Sequence, residues 1–122
     1  MAHLDSATKT EFEYVGEVGV DSGQIIVGDP CHLDDFDSSR RYGGPGTEEK
    51  PDRNGDYSYS AVGACSASLD GGGQLAAKGI PLAVAVGTSH GDGFYPVFKI
   101  VENGRVVAVY IDMQNDEAGA AQ

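Results

Sequence analysis

The residues best suited to chemistry sit in two short acid-and-glycine segments, Gly28-Asp29-Pro30-Cys31 and Gly91-Asp92-Gly93-Phe94-Tyr95-Pro96-Val97. Each places a carboxylate in a tight turn at the mouth of a β-rich run, where backbone geometry fixes the side chain. If the fold brings the two turns together, they make a polar site at one edge of the domain. Asp21-Ser22-Gly23 opens the same strand that Asp29 closes, and Thr88 precedes the second turn.

Three chemistries use these groups. A nucleophilic reading takes Cys31 as thiolate and His90 as base, since a thiol needs a base within hydrogen-bond reach. His32 is a poorer base, because neighbouring residues on an extended chain point apart. The simpler reading has Cys31 as a small buried apolar residue closing a turn, and the surrounding acids disfavour a thiolate. A metal reading gathers Asp21, Asp29, Asp92 and Asp112, with His90 or His32; hard oxygen ligands suit Mg²⁺ or Ca²⁺, and added His and Cys suit Zn²⁺. No run has EF-hand spacing, and turn carboxylates commonly cap their own backbone amides instead. A ligand-binding reading needs no reaction. Asp21, Asp29 and Asp92 accept hydrogen bonds, Ser22 and Thr88 supply hydroxyls, Gly91 and Gly93 allow close backbone approach, and Tyr95 offers a stacking face.

The elements that must position these residues read as β-structure. The chain has 122 residues, with 18 Gly, 5 Pro and no Trp, a composition of turns and short strands in one domain. Residues 1–10 read as a flexible leader, 11–113 as the domain and 114–122 as a flexible tail. Phe12, Tyr14, Val18 and Val20 alternate with polar and glycine residues, and Gln24–Val27 is a short apolar strand. From 34 to 56 the apolar pattern stops, giving a long acidic loop with only Phe36 and Tyr42 to pin it. Tyr57, Tyr59, Ala61, Gly63 and Cys65 then alternate as a strand, and Leu82–Val86 reads as a central strand buried on both faces. Tyr95–Val101 and Arg105–Ile111 are joined by Glu102-Asn103-Gly104, and Asn-Gly supplies the positive φ angles of a type I′ hairpin turn. The expected fold is an all-β barrel or sandwich of six or seven short strands ending in that hairpin.

The pattern Asp21-Ser22-Gly23, apolar strand, Asp29-Pro30-Cys31, then Thr88, Gly91-Asp92-Gly93-Phe94-Tyr95-Pro96-Val97 and a closing hairpin resembles a small bacterial and phage domain family of unknown function. The likeness spans Val15 to the turn after Val27, and Leu82 to Asp112. This chain departs from the family at His32, where an aromatic follows the cysteine, and at His90. The resemblance implies a small β domain, often phage-encoded, and brings no established chemistry.

Nineteen acids against 8 bases give a formal charge of −11. Such a surface repels phosphate backbones and argues against direct nucleic-acid binding. Cys31 and Cys65 form neither a C-x-x-C pair nor a zinc spacing. The polar N-terminus lacks a signal-peptide core, and no window approaches a membrane span. A cytoplasmic protein with two free thiols follows. The leading expectation is a non-enzymatic binding protein, with a small polar ligand or a host or phage protein at the Asp29 and Asp92 turns. The alternatives are a small cysteine- or metal-dependent hydrolase or transferase, and a structural or host-factor-inhibiting protein acting through its acidic surface. No cofactor is required by the sequence, and it leaves the oligomeric state open.

Overall fold

The computed structural model describes residues 9–39, 49–52 and 54–114. The expected leader up to residue 8, the tail beyond 114, and Arg40, Arg41, Tyr42 and Arg53 of the acidic loop lie outside the described residues. Seven strands run in chain order: β1 (Thr10–Val20), β2 (Gln24–Gly28), β3 (Asp56–Ser58), β4 (Gly72–Ala77), β5 (Ile80–Gly87), β6 (Gly93–Glu102) and β7 (Arg105–Ile111). A short 3-10 helix spans Pro30–Asp35, and one α-helix, α1, spans Ala61–Leu69. The strands form a three-stranded sheet, β1-β6-β7, and a four-stranded sheet, β2-β5-β4-β3. The result is an all-β, sandwich-like domain; neither sheet closes into a barrel.

Asn103 (φ 52) and Gly104 (φ 82) both take the positive angles of a type I′ turn, so the β6–β7 hairpin forms where Asn-Gly marks it. The β3–β4 pair is parallel and every other ladder is antiparallel.

Two expectations about strands are corrected. The alternation from Tyr57 to Cys65 holds only as far as β3, after which the chain turns into α1. The Ser60 hydroxyl accepts the Gly63 amide at 3.0 Å, satisfying a donor that the first helical turn cannot. From there three of the nine helical residues are Ala, the best helix former, and the small Ala, Ser and Gly side chains let the helix pack closely. β5 is central, but it is buried on one face rather than two. Ala83 and Ala85 are buried against α1, whereas Val84 on the opposite face is 45% exposed.

The main core lies between α1 and the four-stranded sheet: Tyr57, Tyr59, Ala64, Ala67, Leu75, Ala83 and Ala85, flanked by Ile26, Phe36, Ala77 and Leu82. Small residues allow the helix to lie close. A Cβ built on Gly63 would sit 2.0 Å from the Ser58 carbonyl oxygen, a separation no side chain survives. A second cluster, Val20, Ile25 and Tyr95 with Val86, Ile111 and Met113, joins the two sheets at one end.

The described parts of the acidic loop are tied to this core. Phe36 packs edge-on against Tyr59 with ring centroids 5.2 Å apart, and Asp37 bridges to Ser60 beside it. At the other end of the helix, the Asp70 carboxylate accepts the Tyr57 hydroxyl. That bond, with desolvation and the charges of Asp70 and Glu49, holds the Tyr57 phenol above its ordinary pKa.

Candidate functional site

The antiparallel register of β2 on β5 decides the fate of the expected site. Gln24 lies opposite Gly87 and Gly28 opposite Ala83. The Asp92 turn continues from the Gly87 end, whereas Asp29 follows Gly28 at the other. At about 3.3 Å per residue, the ladder holds the two turns on the order of 15 Å apart. They do not meet, and Cys31 is separated from His90 for the same reason.

Each carboxylate and thiol has a local role or faces solvent. Asp29 accepts the Cys31 amide at 2.9 Å and caps the 3-10 helix. Cys31 is exposed, not buried as the turn reading expects, and His32 faces Asp35 at 3.6 Å. Asp112 accepts the Gln114 amide at 2.9 Å. Among the described residues, no three His, Cys, Asp or Glu side chains gather to hold a metal.

The second turn is brought together with Asp21-Ser22-Gly23, but its polar groups are spent on its own geometry. The Thr88 amide donates to the Gly23 carbonyl at 2.9 Å, joining the two loops. The Gly91 carbonyl accepts both the Thr88 hydroxyl (2.6 Å) and the Tyr95 hydroxyl (2.7 Å). Tyr95 is fully buried, so its ring packs between the sheets and offers no stacking face. Gly91 takes φ 74, the left-handed angle that the turn requires. Asp21 and Asp92 remain exposed at the rim, and Gly93 is half-buried as it opens β6.

A different concavity lies beside this end of the molecule, between the edge strand β2 and helix α1. One part, about 440 Å³, is lined by Ser22, Gln24, Ile26, Phe36, Ala64 and Cys65, among others. An adjoining part, about 410 Å³, shares Ser22, Gln24 and Cys65 and adds Ser68 and Thr88. Gln24 spans the groove floor. Its amide nitrogen donates to the Cys65 sulfur at 3.0 Å, and its carbonyl accepts the Ser68 hydroxyl at 3.2 Å. The amide is thereby held in one orientation by two helix side chains. The described lining residues carry no formal charge: hydroxyls, an amide and a thiol at one end, and Ile26, Phe36 and Ala64 at the other.

Of the groove residues, sequence reading found Ser22 and Thr88 and missed Gln24, Cys65 and Ser68. The last two face β2 only because they share a helical side, one turn apart. The signal available was Ser60 as N-cap and Asp70-Gly71 as stop.

Comparisons with known proteins find no match for this chain among family models, curated proteins or solved structures.

Proposed function

We propose that the protein is a non-enzymatic binding protein that takes a small, uncharged polar ligand with an apolar part in the groove between β2 and α1. The observation that carries this reading is Gln24, an amide oriented by Cys65 and Ser68 on the floor of an uncharged groove with an apolar end. Few precisely placed polar groups in a mostly apolar concavity are the usual make-up of a small-molecule site. The −11 charge of the chain repels anionic ligands, and the groove's described lining supplies no cation to hold one.

Native mass spectrometry of the protein purified gently from its source tests the reading. We expect a non-covalent adduct on the wild type, and its loss in Ser22→Trp, which fills the groove from an exposed position. An adduct unchanged in Ser22→Trp, or none at all, contradicts the proposal.

A further inference from the structure

We propose that the ring-bearing face of the three-stranded sheet docks an arginine-bearing segment of a partner protein, whose guanidinium groups lie on the rings and pair with Glu17 and Asp112. This face lies on the other sheet from the groove and does not depend on the groove's having a ligand.

The register builds the face in rows, because residues directly opposite one another in an antiparallel ladder share a face. Phe12, Ile100 and Ala108 form one row, and Tyr14, Phe98 and Tyr110 form the next. The register shift between Tyr14 and Gly16 then sets Glu17 opposite Pro96 in the following row. On the other side of Pro96, the Asp112 amide donates to its carbonyl at 3.0 Å. Phe98 touches the rings of Phe12, Tyr14 and Tyr110, so the four make one continuous patch, and all but Phe98 are well exposed. The row beside the patch thus carries a carboxylate on each of its two outer strands.

Charge selects the occupant, and the two faces of this sheet differ in how their acids are matched. On the opposite face, Glu11 and Glu13 already have cations, Lys9 at 3.9 Å and Lys99 at 3.6 Å. On the ring face, Glu17 has no ion-pair or hydrogen-bond partner among the described residues. Those residues give the Asp112 carboxylate only the Gln114 amide, at 2.9 Å. Arg105 lies at the far end of the sheet, opposite Glu102.

Ring faces are negative, so rings beside unmatched carboxylates attract a cation. Arginine fits better than lysine, since its planar fork stacks on a ring and gives a carboxylate two N–H groups at once. Successive rows are about 7 Å apart, the spacing of alternate side chains on an extended chain. One strand-like segment with arginine at every second residue therefore matches the rows. No Arg-x-Arg run occurs in this chain, which makes a different protein the source, and the −11 charge draws a basic segment in.

Two-dimensional NMR of the full chain, titrated with the peptide acetyl-Gly-Arg-Gly-Arg-Gly-Arg-Gly-amide, tests this. Saturable shifts are expected at Phe12, Tyr14, Phe98 and Tyr110, with affinity falling as salt rises. Citrulline in place of arginine keeps the shape, removes the charge, and should weaken binding about tenfold or more. Glu17→Lys should weaken it about tenfold, whereas Glu13→Lys makes the same change in net charge on the opposite face and should leave it within about twofold. Tyr14→Leu keeps an apolar side chain without the ring and should cost about twofold to fivefold. Absence of saturable shifts, or shifts centred off this face, overturns the proposal. So does a citrulline or lysine peptide that binds as tightly, or a Glu13→Lys variant as damaged as Glu17→Lys.

Discussion

The two sheets of this domain have similar apolar alternation and opposite fates. The four-stranded sheet carries small residues on one face, Ala83 and Ala85 with Leu75, and α1 lies directly on them. The three-stranded sheet carries rings. Phe12, Tyr14, Phe98 and Tyr110 touch one another at centroid separations of 5.8–6.2 Å, yet Phe12 and Tyr14 are each 60% exposed. Alternation tells which side chains share a face of a strand. The size of those side chains tells whether a helix can come down on it, because Ala and Gly admit a close backbone and rings hold it off. The covered sheet is where stability resides, and the open one leaves its rings facing solvent.

The sharpest break of this contrast is Gly63→Ala. Its methyl would lie 2.0 Å from the Ser58 carbonyl oxygen, so α1 must lift from β3. We expect a loss of about 3 kcal/mol or more, read as a lowered denaturant midpoint or failure to fold cooperatively. Truncation separates the two faces next. Leu75→Ala empties a fully buried site and should cost about 2–5 kcal/mol, whereas Phe12→Ala should cost about 1 kcal/mol or less. Equal costs in chemical denaturation would mean that the open sheet is as closed as the other.

The smallest effect is a pH dependence. Tyr57 has a raised pKa because its hydroxyl is donated to Asp70, so its protonated form is favoured in the folded state. The stabilisation is complete below the ordinary phenol range, near ~10, and is lost as pH rises through the higher folded value. Alkaline spectrophotometric titration should find one late-ionising tyrosine, and Asp70→Asn should bring it earlier.

Much of the β framework was legible. β1, β2, β5 and the Asn103-Gly104 hairpin are local patterns with local causes, and the structure forms each of them. Helix α1 was hidden because Tyr57 and Tyr59 continue a strand rhythm that Ala61, Gly63 and Cys65 extend by coincidence. The cap at Ser60 outweighs that rhythm, since it satisfies a backbone donor that alternation leaves unaddressed. The convergence of the Asp29 and Asp92 turns failed for a topological reason. Both lie at strand ends, but a strand has two ends, and the β2–β5 register puts one turn at each. The groove was half legible. Ser22 and Thr88 stood out as turn hydroxyls, whereas Gln24 gains its meaning only from helix side chains 41 and 44 residues away.

Hydrogen exchange read residue by residue tests most directly the claim that one sheet is closed and the other open. The amides of Leu75, Ala83 and Ala85 should exchange slowly. Asp112, Tyr110 and Ala108 turn their backbone toward β6, so Val109 and Ile111 turn theirs outward and their amides should exchange fast. Fast exchange at Ala83 and Ala85, or slow exchange at Val109 and Ile111, would contradict the division of the molecule into a covered core and an open edge.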